Sequence, residues 1–233
     1  MTQDRTDPDH HAQARDWAAL ANRLGRHALD DDRPTRWVDD LWSAAERDEV
    51  DLPWDRSRPF DVVADAIADL GPGDGRRAVV VGAALGADAE ALAAAGWTTV
   101  AFDVSPAAVR LVQERHPESE VDYRLADLLD LPDDLVGAFD LVIEVFTVQA
   151  MPPTVRDDAQ ASIRRLLAPG GQAVVVQHVR GGTDPLVGPP WMLDRTQMEA
   201  FAAHDVSLTS LVEDASPRAD RTSPVWVARL VRR

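Results

Sequence analysis

Two glycines and an aspartate carry the first recognisable chemistry of this chain. In Val79-Val80-Val81-Gly82-Ala83-Ala84-Leu85-Gly86-Ala87-Asp88 an apolar strand breaks at Gly82, passes Gly86 and enters an alanine-rich helix. The next apolar strand closes on Asp103, 17 positions beyond Gly86. Glycine lets backbone approach a ligand closely, and a helix starting at Ala87 offers unpaired N–H groups to an anionic group. A carboxylate ending the second strand can accept both hydroxyls of a ribose. Together these are the parts of a cradle for a nucleoside cofactor.

The glycine spacing chooses among such cofactors. A dinucleotide's pyrophosphate is met by G-x-G-x-x-G, whereas here three residues separate the two glycines and Ala84 stands between them. A nicotinamide oxidoreductase would also want a third glycine at Leu85 or Ala89, and a substrate domain. S-adenosylmethionine fits the spacing better. Asp127 after a third strand and Leu167-Ala168-Pro169-Gly170-Gly171 before a fifth strengthen that expectation.

Composition narrows the chemistry further. The 233 residues suffice for one substantial core with an appended N-terminal segment. A net charge of −16 repels phosphate backbones and anionic membranes, so nucleic acid and lipid surfaces are poor partners and small molecules gain weight. The chain has no cysteine, and all 24 of its basic residues are arginine. That removes thiolate nucleophiles, Fe–S clusters and hence radical use of S-adenosylmethionine, Schiff bases and a Walker lysine. The six histidines show no metal-ligand spacing. No apolar run approaches the roughly 20 residues that span a bilayer, and Met1 to His11 lack a basic and apolar leader, so a cytoplasmic protein is expected.

The elements that must position these groups follow from periodicity. Residues 1–11 read as a tail. Residues 12–29 and those following Pro34 form two amphipathic helices carrying Trp17, Trp37 and Trp42, and Pro59 opens a third, closed by Gly71. Residues 12–70 thus form an N-terminal helical cover and 71–233 the core. In the core, strands 78–81, 98–102, 121–124, 139–145 and 172–179 alternate with helices 87–95, 106–115 and 154–167. Such alternation predicts an α/β protein with a doubly wound, Rossmann-like parallel sheet and helices on both faces. After a helix over 196–203, strands 206–212 and 225–231 are joined by a link that suits an antiparallel hairpin and makes a seven-stranded sheet.

With Gly82, Gly86, Asp103, Asp127 and Pro169-Gly170-Gly171 in that frame, residues 78–231 resemble the class I S-adenosylmethionine-dependent methyltransferases. Leu52-Pro53-Trp54-Asp55, Phe102-Asp103-Val104-Ser105-Pro106 and Glu144 followed by Gln149-Ala150-Met151-Pro152-Pro153 are similar to the thiopurine and thiol methyltransferase-like group of small-molecule enzymes. The resemblance implies methyl transfer to a small acceptor by in-line displacement. It places the loop Gly82, Ala83, Ala84 and Gly86 at the methionine end of the cofactor and Asp103 with Val104 at the ribose. Ala126, Asp127 and Leu128 fall at the adenine edge, and Glu144 with Val145 beside the methyl group. Trp37, Trp42 and Trp54 lie on the segment placed over the cofactor, where they either face the ligands or pack the helices. His178, at the carboxyl end of the fifth strand, is either a general base for a hydroxyl or amine acceptor or a structural histidine. Gln149, Arg180 and Trp191 are candidates for the acceptor pocket. The chain departs from the group at Val80, usually acidic, and at Ala84, usually glycine. A cofactor-binding module that has lost turnover is the alternative function.

Overall fold

The apolar run Phe139–Val145 becomes the middle strand of a seven-stranded sheet, where burial on both faces demands continuous hydrophobicity. The computed structural model describes residues 17–30, 33–52, 54–181, 188–216 and 223–233, with the side chains of 27–30 excepted. The expected tail, 1–11, and the start of the first helix lie outside the described residues.

Three helices come first: α1 (Trp17–Asp30), α2 (Arg36–Glu46) and α3 (Asp61–Leu70). The core follows as β1 (Arg77–Val81), α4 (Ala87–Ala94), β2 (Thr98–Asp103), α5 (Pro106–Arg115), β3 (Asp122–Leu125), β4 (Phe139–Val145), α6 (Arg156–Leu166), β5 (Leu167–His178), α7 (Arg195–Glu199), β6 (Val206–Asp214) and β7 (Val225–Arg232). The strand order is β3-β2-β1-β4-β5-β7-β6, and β7 runs antiparallel to both its neighbours. Six strands therefore share one direction, because the C-terminal hairpin folds back with β7 on the inside.

Two boundaries differ from expectation. Pro169-Gly170-Gly171, expected as a turn, lies within β5, whose register against β4 slips between Phe139↔Leu167 and Leu141↔Gln172. The glycines absorb the slip, Gly170 at φ +79°. The helix expected over 196–203 is only α7, fixed at its start by a reciprocal capping box between Asp194 and Gln197.

Alternation along the strands sorts the core into two layers. Val79 and Val81 join Phe102, Val142 and Val175 beneath α6 and α7, whereas Ala78 and Val80 join Leu141, Ile143 and Val174 beneath α3 and α4. The cover has its own cluster around Trp37 and Leu41, and Trp42 carries it onto Leu85 and α5. Among the described residues no helix is long and apolar enough to cross a membrane.

Candidate functional site

All five parallel strands from β3 to β5 end on one rim, the place where open α/β sheets put their ligands. The link after β1 is held against β2: the N–H groups of Gly82 and Ala83 both donate to the Phe102 carbonyl at 2.9 Å. The path then needs left-handed backbone at Gly82 (φ +76°), Ala84 (φ +46°) and Gly86 (φ +88°). A Cβ at Gly82 would lie 2.3 Å from Thr147 Oγ1, and one at Gly86 2.4 Å from the Tyr123 hydroxyl, so space as well as conformation requires glycine at both. Ala84 adopts the same region with a methyl group, at a cost of about 1–2 kcal/mol for an L-residue.

Asp103 closes β2 beside this loop and is only 7% exposed. Its Oδ1 accepts from the Ser105 N–H at 3.0 Å and its Oδ2 from the Ala84 N–H at 3.3 Å. Burial pushes the carboxyl up to about 6, against these N–H groups, which favour its charged form. Ser105 caps α5 by accepting from the Ala108 N–H at 3.1 Å, and its own hydroxyl donates to Asp39 of α2 at 2.6 Å. Asp39 also receives the Ala107 N–H at 3.3 Å. The cover is thus bonded to the turn that holds Asp103.

Between cover and rim lies a cavity of about 460 Å³. Of the residues expected at a site, Trp37, Trp42, Trp54, Gly82, Ala83, Ala84, Asp103, Val104, Ala126, Leu128, Val145, Gln149 and His178 line it. Trp54 stands between Trp17 and Trp42, edge to face with each at ring-centre distances of 5.5 and 6.0 Å. His178 stacks on Phe146 with centres 4.3 Å apart and planes 4° from parallel, and Phe146 meets Phe60 edge-on at 5.2 Å. The backbone N–H of His178 donates to Gln149 Oε1 at 2.7 Å, which holds the ends of β4 and β5 together.

Five expected residues do not line the cavity. Gly86 turns its back to it and abuts Tyr123, Val112 and His116. Asp127 spends Oδ1 on the Leu129 N–H at 2.8 Å. Arg180 pairs with Asp194. Trp191 is 3% exposed, its N–H donating to the Gln149 carbonyl and its own carbonyl receiving Arg156, both at 2.7 Å.

Glu144, expected beside the methyl group, does not line the cavity either. It is fully buried and accepts from the N–H groups of Thr147 at 2.7 Å and Val148 at 3.0 Å, and from the Gln177 amide. Burial raises it to about 7 against these donors. A charge closing so apolar a strand is satisfied by the turn that follows it, and that turn presents Phe146, Thr147 and Gln149 to the cavity.

Sequence reasoning missed Trp17, Arg56, Phe60, Asp88, Phe146 and Thr147 as cavity residues. Trp17 and Phe60 carried an apolar-stripe signal that fitted core packing equally. Arg56 and Asp88 lie 32 positions apart, and nothing in one dimension joins them.

The strand order β3-β2-β1-β4-β5-β7-β6, with β7 reversed inside the C-terminal hairpin, is that of a Rossmann-like methyltransferase fold. Residues 78–171 match the model of a methyltransferase domain family. No curated protein matches the chain in sequence. Among solved structures, the protein described under "Conversion of a Disulfide Bond into a Thioacetal Group during Echinomycin Biosynthesis" aligns with a TM-score of 0.67 at 19% identity, covering 83% of this chain and 91% of that one. The N-methyltransferase NodS from Bradyrhizobium japonicum WM9, in complex with S-adenosylhomocysteine, aligns at 0.59 and 20%, covering 82% and 97%. The 1,6-didemethyltoxoflavin-N1-methyltransferase of Burkholderia thailandensis aligns at 0.58 and 16%, covering 100% and 93%.

Proposed function

We propose that the protein is an S-adenosylmethionine-dependent methyltransferase that methylates a small, at least partly apolar acceptor in the cytoplasm. The observation that carries this reading is one continuous cavity whose two walls differ in kind. The glycine loop, Asp103, Ala126 and Leu128 form a nucleoside-sized wall, and the tryptophans of the cover form an aromatic one. S-adenosylmethionine supplies a methyl group already activated by the positive charge on its sulfur.

The protein's own part is therefore alignment and exclusion of water. Asp103 accepts the ribose hydroxyls, and the Gly82–Leu85 backbone follows the chain toward the methionine end. Ala126 and Leu128 flank the adenine. Val145, with Phe146 in place of Glu144, forms the wall beside the methyl group. Aromatic faces from Trp37 and Trp54 suit both a sulfonium and a flat acceptor. His178 is the side chain placed to take a proton from a hydroxyl or amine acceptor. Trp54 and Gln149, from segments similar to the thiopurine and thiol methyltransferase-like group, both line the cavity and support a small-molecule acceptor of that kind. A polyanion is disfavoured by the charge of −16.

Calorimetry with S-adenosylhomocysteine tests the cofactor, and labelled S-adenosylmethionine with a panel of thiols, phenols, amines and heterocycles tests transfer. Binding with label in one of these acceptors is the expected result. Binding without transfer to any acceptor favours the module without turnover, and label in bulk tRNA or DNA alone refutes the small-molecule reading.

A further inference from the structure

Among the described residues lining the cavity, Arg56 is the one permanent cation. Arg56, two residues beyond Trp54, reaches across the cover to α4, where its Nη2 donates to Asp88 Oδ2 at 2.9 Å. The side chains are 20% and 8% exposed, and Asp88 Oδ1 also accepts the Phe60 N–H at 2.7 Å. Arg56 Nη1 is buried without a hydrogen-bond partner, and the guanidinium lies 5.3 Å from the centre of the Phe60 ring. Two facts make the pair unlike a stabilising ion pair. Removing both charges from water costs about as much as their attraction returns. A buried guanidinium N–H left unpaired adds to that cost.

We propose that Arg56 and Asp88 form the subsite for the amino-acid end of the cofactor, Arg56 taking the α-carboxylate and Asp88 the α-ammonium, a proposal that rests on the cofactor reading above. A zwitterionic headgroup carries opposite charges on adjacent atoms, so its complement must present opposite charges side by side. Among the described residues lining the cavity this is the one such pair, since the remaining carboxylate, Asp103, stands at the end of β2. β1 offers only the apolar Val80 and Val81. Val80 packs in the same cluster as Phe60 and Ala89, which flank the pair in sequence. Asp88 keeps lone pairs for a further donor, and Arg56 has donors beyond the one bonded to Asp88. Asp88 sits in the first turn of α4, directly after the glycine loop, and Arg56 meets it there, where the helix terminus adds positive potential toward a carboxylate. Because Arg56 belongs to the cover and Asp88 to the core, the headgroup would also bind the two together.

The test compares S-adenosylhomocysteine with 5′-methylthioadenosine, which keeps the nucleoside and thioether but lacks the amino acid. In calorimetry the parent should prefer S-adenosylhomocysteine by about tenfold or more, the scale of a charge-assisted hydrogen bond. Arg56→Gln should lose about tenfold for S-adenosylhomocysteine while 5′-methylthioadenosine stays within about twofold, which also reports that the variant is folded. Asp88→Asn retains the shape and an acceptor for the Phe60 N–H, and should show the same selective loss. Equal losses for both ligands, or an unchanged S-adenosylhomocysteine affinity in both variants, would overturn the subsite while leaving the cofactor reading intact. A parent that binds neither ligand would overturn the cofactor reading and the subsite with it.

Discussion

The raised carboxyl of Asp103 predicts a particular pH dependence of cofactor binding. In the free protein burial holds the group at about 6, and the ribose hydroxyls need it ionised in order to donate to it. Binding must then deprotonate Asp103 wherever the pH lies below that value, and the apparent Kd for S-adenosylhomocysteine grows by a factor of one plus the ratio of protonated to ionised form. The factor is roughly 10 at pH 5, about 2 at pH 6 and close to 1 at pH 7. Stability should run the opposite way. A carboxyl raised from 3.8 to about 6 in the folded state lends stability below pH 4 that is lost as the pH rises through 6. That rise corresponds to roughly 3 kcal/mol. Calorimetry at pH 5, 6, 7 and 8 on the parent and on Asp103→Asn isolates the contribution of this carboxyl. The parent should bind about tenfold more weakly at pH 5 than at pH 7, and Asp103→Asn, weaker at pH 7, should be flat. A parent without pH dependence, or an Asp103→Asn variant that keeps the tenfold slope, refutes the assignment of the ribose to Asp103.

Four further outcomes are expected. Ala84→Gly should leave the melting temperature unchanged or raise it, because relief of left-handed strain of about 1–2 kcal/mol outweighs the 0.4–1 kcal/mol of added chain entropy; a clear drop on thermal unfolding refutes the strain. Glu144→Ala should destabilise by about 2–4 kcal/mol in denaturant unfolding, since the Thr147 and Val148 N–H groups and the Gln177 amide lose a buried acceptor; wild-type stability would show that the carboxylate is not a structural cap. Asp39→Ala should cost about 1–2 kcal/mol and make limited proteolysis of α1 and α2 faster, with S-adenosylhomocysteine slowing it again; a cleavage rate equal to the parent's would mean that the bond to Ser105 does not hold the cover. His178→Gln should lower kcat on a hydroxyl or amine acceptor by about 100-fold or more with the cofactor affinity unchanged, and full turnover would assign His178 a structural role.

How much of this was legible in the sequence depends on whether a feature is local. The strand run Val79–Val81, the break at Gly82 and the carboxylate ending β2 are written in consecutive residues. Periodicity and turn chemistry placed them to within a residue or two. Ser105-Pro106 marked the start of α5 for the same reason, since an N-cap and a proline at the first helical position act only on their own turn. Glu144 shows where that reasoning stops. The sequence placed a charge at the end of an apolar strand, but not which way it points, and the answer depends on donors in the following turn and on Gln177 from β5. Arg56 and Asp88 depend on contacts made across 32 residues, with no periodic signal at either end. The cover lies between these cases. Its tryptophan stripes were visible at helical spacing, yet the same stripe serves to pack α1 on α2 and to wall a cavity. The polar ties from Asp39 to Ser105 and from Arg56 to Asp88, together with the packing of Trp42 on Leu85 and α5, decide how it is oriented. Exposed pairs such as Glu46 with Arg110 contribute little. Placement of the cover over the cavity therefore rests on Trp42 and on two carboxylates, Asp39 and Asp88, each of them on an element that also carries a cavity residue.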